Sequence, residues 1–293
     1  MELRDLNYYV DLVNTKNFQK TAQNFGVTTP AISAMVKRLE SELNTKLIYK
    51  ASNRSVLTVS SAGEVLFKQA KKMLKLEENT KHLVKRAGEN NFRLGFSELA
   101  GKTWLAPIMR HLSEEKLIRY VETRQESSPF LVNHLLSGRY DAIIYSELAD
   151  EKFDNLHGDV LKTYDLKIFM NKDYPLAQND VIDFRDLRRE TFITYHKRFL
   201  GREGLKIASR KAGIKLLPSQ LLVVDNVDAI EQLVIDGVGI AYLPDSSLSY
   251  PDSLAVRPVV ETQREKILLK LGMREDFIPN DLQKKCIQVL KRI

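Results

Sequence analysis

The sequence predicts an α/β protein in three parts: a small helical head carrying a wing, a long helix, and a larger body of alternating strands and helices. Three observations predict it. Two short helical stretches meet across a glycine turn between Asn17 and Leu43. A run of residues at alternating steps of four and three follows from Ala62 to Ala87. Strand-like runs separated by helical ones then fill residues 91–293.

In the head, Leu6, Tyr9, Val10 and Val13 give a first helix one apolar side. Asn17 can cap the next helix with its side-chain oxygen; Phe18, Ala22 and Phe25 recur at helical spacing, and Gly26 stops the helix. After Val27-Thr28, Thr29 and Pro30 open another helix, Pro sitting where its missing N–H costs nothing. Ile32, Val36, Leu39 and Leu43 form its apolar stripe, while Pro30, Ala34, Lys37, Arg38 and Ser41 point the other way. This is the pattern of a helix-turn-helix, with the later helix a candidate major-groove reader. An ordinary helical hairpin with solvated Lys37 and Arg38 fits the spacing alone.

Asn44 stands where that helix would end, and Asn tolerates the left-handed conformation. Leu47-Ile48-Tyr49 and Val56 to Val59 read as short strands joined through Ala51-Ser52-Asn53-Arg54. On such a wing Lys50 and Arg54 could reach a nucleic-acid backbone or minor groove; a surface hairpin with stray charges is the plain alternative.

Ser60 or Ser61 can cap a helix continuing to Gly88. Ala62, Leu66, Gln69, Met73, Leu76, Thr80, Leu83 and Ala87 form a seam of coiled-coil type, with Leu66, Met73, Leu76 and Leu83 as candidate dimerisation residues. Packing of this helix on its own domain is the alternative. Gly88-Glu89-Asn90-Asn91 is read as a hinge. The expected divisions are 1–59 for the head, 60–90 for the linker and 91–293 for the body.

In the body, strands are expected at Phe92 to Phe96, Ile118 to Glu122, Ala142 to Tyr145, Leu166 to Met170, Thr191 to Tyr195, Leu221 to Val224, Gly239 to Leu243 and Ile267 to Met273. Helices are expected from near Thr103, at Phe130 to Ser137, Leu205 to Lys211 and Val227 to Ile235. Such alternation implies parallel sheets.

Charge is unevenly placed. The chain of 293 residues has a net charge of +7. Residues 1–88 hold 15 Lys and Arg against 8 Asp and Glu, which leaves 30 of each sign in the rest (45 − 15 and 38 − 8). All the excess positive charge thus accompanies the candidate reader, which favours a polyanion partner through counterion release. A membrane surface or RNA would attract it too. With Cys286 the single cysteine, no disulfide can form within the chain. The N-terminal residues do not read as a signal peptide, and no stretch has the ~20 apolar residues of a membrane span. A cytoplasmic location with no membrane partner is the expectation. The five histidines lack metal-ligand spacing, Cys286 has no neighbouring base, and Gly201-Arg202-Glu203-Gly204 lacks the lysine of a phosphate loop. No metal, cofactor or catalytic residue is therefore expected.

Phe18…Ala22…Phe25, Thr29-Pro30-Ala31-Ile32-Ser33 and Lys37-Arg38-Leu39-Glu40…Leu43 closely resemble the DNA-binding segment of LysR-type transcriptional regulators. The resemblance extends through Leu6, Tyr9, Leu47-Ile48 and Ser61-Ala62-Gly63. Gly138 to Ile143, Tyr174 to Ala177 and Gly237 to Pro244 look like landmarks of that family's effector domain. The family implies a winged helix-turn-helix, a linker helix, and an effector domain resembling periplasmic binding proteins. Its two lobes would comprise about 91–163 with 267–293, and about 164–266. It also implies double-stranded DNA bearing an interrupted inverted repeat, a small-molecule effector, a homodimer or homotetramer, and contact with RNA polymerase. The sequence departs from the pattern at Asn44, usually glycine, at Ala34 and Met35, where long polar side chains are common, and in a wing about two residues longer.

On that frame Thr28, Thr29, Pro30, Ser33 and Ala34 would face base edges, and Lys37 and Arg38 would hold phosphates. By position, the effector residues would be Ser97, Glu98, Ser127, Ser128, Thr194, Tyr195, Asn226 and Val238. Ser128 serves equally well as a plain helix cap. Glu98 would repel an anionic effector, whereas Lys102, Arg124, Lys197, Arg198 and Arg202 could recruit one; the sequence leaves both open. A non-specific or architectural nucleic-acid binder and a cytosolic solute-binding protein are the alternative functions.

Overall fold

The protein is described as a computed structural model over residues 1–50, 57–149, 156–196, 200–248 and 252–292, with backbone only at residues 50 and 157. It forms two compact units, Met1–Gly88 and Glu89–Ile293.

The first unit contains α1 (Leu3–Thr15), α2 (Phe18–Phe25), α3 (Thr29–Glu42), β1 (Ile48–Lys50), β2 (Leu57–Val59) and α4 (Ser61–Ala87). Capping chemistry sets the turns. Asn17 accepts the Lys20 amide at 3.0 Å, and Gly26 ends α2 at φ +64°, where a side chain would be strained. Asn44 adopts φ +48°, the left-handed conformation expected there. Leu6, Tyr9, Leu12, Ile32, Met35 and Leu39 are buried together. β1 and β2 pair antiparallel, Ile48 opposite Val59.

Three expectations for this unit change. Met35 belongs to the core, so the buried stripe of α3 is Ile32, Met35, Val36 and Leu39. Leu43 is 40% exposed, because α3 ends at Glu42 and the chain turns away at Asn44. Leu66 lies in the core of the head with Ala70, so the first half of α4 packs on its own domain, and Leu66 is withdrawn as a dimerisation residue. Farther along α4, Met73, Leu76 and Val84 are exposed, Leu76 by 67%, whereas Leu74 and Leu83 are half-buried and Arg86 is buried.

The second unit contains β3 (Phe92–Phe96), α5 (Glu98–Thr103), α6 (Leu105–Glu114), β4 (Val121–Gln125), α7 (Ser128–Leu136), β5 (Ala142–Leu148), β6 (His157–Asn171), β7 (Phe192–Thr194), α8 (Leu200–Lys211), β8 (Leu221–Val223), α9 (Val227–Ile235), β9 (Ala241–Pro244), β10 (Leu254–Arg257), β11 (Lys266–Met273) and α10 (Asp281–Arg292). Strand order along the main sheet is β10-β6-β11-β5-β3-β4, with β9 also on β6. β3 pairs parallel with β4 and β5, as the alternating pattern implies. The pairings of β6, β9, β10 and β11 are antiparallel, which that pattern did not imply.

β6 makes the body two-lobed. Its first half pairs with β11 through Asp165, and its second half pairs with β9 from Leu166 and with β10. The Leu166 amide donates to the Glu265 carbonyl at 3.0 Å, so the two crossover segments lie side by side. One lobe centres on Phe92, Leu94, Ile144 and Leu269. The other holds Ile168, Phe184, Phe192 and Tyr242 in one cluster and Phe169, Ile193, Ile230 and Leu243 in a second. Cys286 is sealed in the first lobe, where burial pushes its thiol up to about 11 and leaves it chemically quiet.

Candidate nucleic-acid interface and ligand cleft

On the head, the Thr28 hydroxyl accepts the Ala31 amide at 3.4 Å and sets the start of α3. Pro30, Ala34 and Lys37 are exposed on the side of α3 opposite its core stripe, Thr29 and Ser33 are half-buried on its flank, and Thr28 is exposed at the cap. Lys37 has no ion-pair partner among the described residues. Arg38 does have one. Its Nε and Nη2 donate to the two carboxylate oxygens of Asp5 at 3.0 and 2.6 Å, and Asp5 is 1% exposed. This fork ties α3 to α1 and fixes the pose of α3. Asp5 was missed in the sequence; its only signal is an acid inside the apolar repeat of α1.

Glu40 anchors the wing on α3. Burial alone would raise its carboxyl, but the Lys46 ammonium and the Leu47 and Ile48 amides outweigh burial and hold it below its ordinary value. Arg54 and the Lys50 side chain lie outside the described residues.

In the body a cleft of about 640 Å³, open mouth included, lies between the lobes. Of the eight residues expected there, Ser97, Glu98, Ser127, Ser128 and Tyr195 line it. The other three do not. Thr194 is buried in β7, Asn226 spends its side chain capping the Ala229 amide at 2.7 Å, and Val238 follows the left-handed turn at Gly237 and faces solvent. Ser146, Leu99 and Val227 also line the cleft. Ser146 escaped the sequence reading because β5 continues past Tyr145, where the apolar run ends.

The first lobe's wall is hydroxyl-rich. Ser97 and Ser146 share a hydrogen bond of 3.0 Å, and Ser128 accepts the Ser146 amide at 3.0 Å. Ser128 therefore braces β5 and does not cap α7. Ser127 is the residue at the cap position, yet its hydroxyl is buried with no partner among the described residues.

Glu98 reaches across the cleft to the second lobe, where its carboxylate accepts from the Tyr195 hydroxyl and the Val227 amide that opens α9. Burial pushes this carboxyl up from its ordinary value; the two donors and Lys102 pull against that shift without cancelling it. Burial and the same carboxylate keep the Tyr195 hydroxyl protonated far above its ordinary range. Lys102 points to Glu231 at 4.0 Å, a second polar link between the lobes. Lys197 and Arg198 lie outside the described residues. Among the described residues no His, Cys, Asp and Glu group is arranged to hold a metal, and no helix is long and apolar enough to cross a membrane.

Known proteins match both units. The family model for the bacterial regulatory helix-turn-helix protein of the lysR family matches residues 3–64, and that for the LysR substrate binding domain matches residues 85–291. The malolactic fermentation system transcriptional activator of Lactococcus lactis is 26% identical, over 100% of this chain and 99% of its own. The regulator AlsR of Bacillus subtilis is 26% identical over 84% of this chain and 82% of its own. Among solved structures, full-length BenM aligns over 100% of this chain and 96% of its own with a TM-score of 0.55 at 21% identity. Full-length CbnR complexed with its target DNA aligns over 100% and 99% with a TM-score of 0.52 at 17% identity. Those likenesses show the shared fold. With one family model spanning the head and another most of the rest, the chain belongs to the LysR-type transcriptional regulators.

Proposed function

We propose that the protein binds an interrupted inverted repeat in promoter DNA as a homodimer or homotetramer in the cytoplasm, and that a small molecule in the cleft alters this binding. The observation that carries the proposal is the exposed side of α3, which sets Pro30, Ala34 and Lys37 opposite a fully buried stripe in the unit holding all the excess positive charge. Thr28, Thr29, Pro30, Ser33 and Ala34 face base edges. Few of these offer long hydrogen-bonding arms, so the Ala34 methyl and the Pro30 ring read thymine methyls by contact. Lys37 holds a phosphate, and Arg38 combines a phosphate contact with its brace on Asp5.

Two substitutions separate these roles. Ser33→Ala is expected to cost about 1 kcal/mol of discrimination between operator and altered sequences while leaving non-specific binding unchanged. Lys37→Ala is expected to weaken binding to every duplex alike and to reduce the slope of log affinity against log salt by about one. A salt titration of both variants on operator and scrambled duplexes checks this. An unchanged slope for Lys37→Ala removes Lys37 from the phosphate contacts.

Ligand and DNA are coupled through the protein, so a molecule that shifts operator affinity must have its own affinity shifted by operator to the same degree. The lobes are joined by Glu98 with Tyr195 and Val227, and by Lys102 with Glu231. A ligand entering between them acts on those links, and its differential binding sets the size of the response.

A further inference from the structure

The charge pattern of the cleft points to a class of ligand. Among the described residues its lining includes Glu98 and Lys102 as charged groups, and no arginine. Lys102 faces Glu231, and Asp228 in the first turn of α9 lies close enough to act on Glu98. Three carboxylates thus stand against one lysine where α5 meets α9. The anion position at the start of α9 is already filled, because Glu98 takes the Val227 amide. A ligand carboxylate placed there would meet a half-buried carboxylate of the protein and like charges behind it, with no free cation in the described lining to offset them. Two donors do not exhaust a carboxylate, whose oxygens offer about four acceptor positions. The opposite wall is neutral, with Ser97, Ser128, Ser146 and the Ser127 hydroxyl, which has no partner among the described residues.

We infer that the cleft takes a small molecule bearing a protonated amine, with Glu98 as its counter-charge. This rests on the reading of the cleft as the ligand site. The amine relieves the cost of burying Glu98, and any hydroxyl, amide or carboxylate on the same molecule lies toward Ser127 and Ser128. Glu98 is then the specificity-determining residue: it admits amines and turns away molecules whose charges are all negative.

The test uses the full chain and defined probes. Thermal unfolding is followed with free amino acids and short diamines on one side, and malate, succinate and citrate on the other. At least one amine is expected to raise the unfolding temperature, since a ligand that binds only the folded state stabilises it. Glu98→Gln should then weaken that amine by about tenfold or more. N-acetylation of the same amine, which needs no variant protein, should weaken it to a similar degree. Stabilisation by the carboxylates alone, strengthened in Glu98→Gln, overturns the inference yet leaves a sensing cleft in place. Equal binding of the acetylated and free amine overturns it, as does the absence of any shift across the amine panel. Failure of operator binding, a separate experiment, would instead strike the reading of the whole protein.

Discussion

Gly63→Ala is expected to collapse the head and abolish operator binding. Gly63 lies in the first turns of α4, where the helix crosses the wing and α1. A Cβ there would stand 2.3 Å from the Leu47 carbonyl oxygen, 2.6 Å from the Tyr9 hydroxyl and 2.7 Å from Val59 Cγ1. None of these can step aside cheaply. Leu47 is backbone held by its bond from Ser60, Tyr9 is fully buried, and Val59 is paired in the wing. Overpacking of this kind costs about 1–3 kcal/mol, more where backbone must move, and a unit this small has little stability to lose. Gly88→Ala is the control, since its nearest neighbour is Lys85 O at 3.5 Å and its backbone is right-handed. Thermal unfolding of the full chain and an operator-binding titration should show a destabilised head and lost binding for Gly63→Ala, with Gly88→Ala close to wild type. An unaltered Gly63→Ala protein would mean that α4 does not seat on the wing as described.

Met73→Asp with Leu76→Asp is expected to yield monomers and to lower operator affinity by about two orders of magnitude or more, because a single head reads one half-site. α4 has 27 residues, a length of about 40 Å. The head covers it only through Leu74, while Met73, Leu76 and Val84 stand exposed on a helix whose remaining surface is rich in lysine. Apolar side chains left bare on a long helix call for a second helix, and an identical one supplies the self-complementary face of a two-fold dimer. Light scattering and DNA titration of the double variant check this, and persistent dimers would place the interface elsewhere. Leu66→Asp should behave differently: it buries a charge in the core of the head, so folding fails before association does.

The contrast between Leu66 and Leu76 shows where sequence reading stops. Both fit the same four-and-three repeat, because a helix that packs on its own domain and one that pairs with a copy need the same spacing. Only tertiary placement separates them. Local chemistry, by comparison, was legible. Phe92–Phe96 and Val227–Ile235 have the bounds expected from composition and capping, and Asn17, Gly26 and Asn44 act at the helix ends where their types place them. Met35 was misplaced because an apolar residue one step off a regular stripe falls on either side according to helix orientation. The first half of β6 was missed because Asp159, Val160, Lys162 and Thr163 leave it largely exposed, without the apolar alternation of a half-buried strand.

The candidate sites divide in the same way. Exposure of Lys37 and Ala34 follows from helical period, whereas the Arg38 fork joins residues 33 positions apart and carries no local signal. Ser97, Ser127 and Ser128 were found because strand ends and helix starts converge on the cleft of a two-lobed α/β fold. The partners of Glu98 were not, since Tyr195 and Val227 reach it from another lobe. That placement turns an acid with an undecided role into the feature that sets the character of the cleft.

The most direct test of the account is the ratio of affinities for the native promoter duplex and a random duplex of equal length at cellular ionic strength. A reader helix held in the major groove by a paired rod predicts a ratio of about 10³ or more. Equal affinities would contradict it.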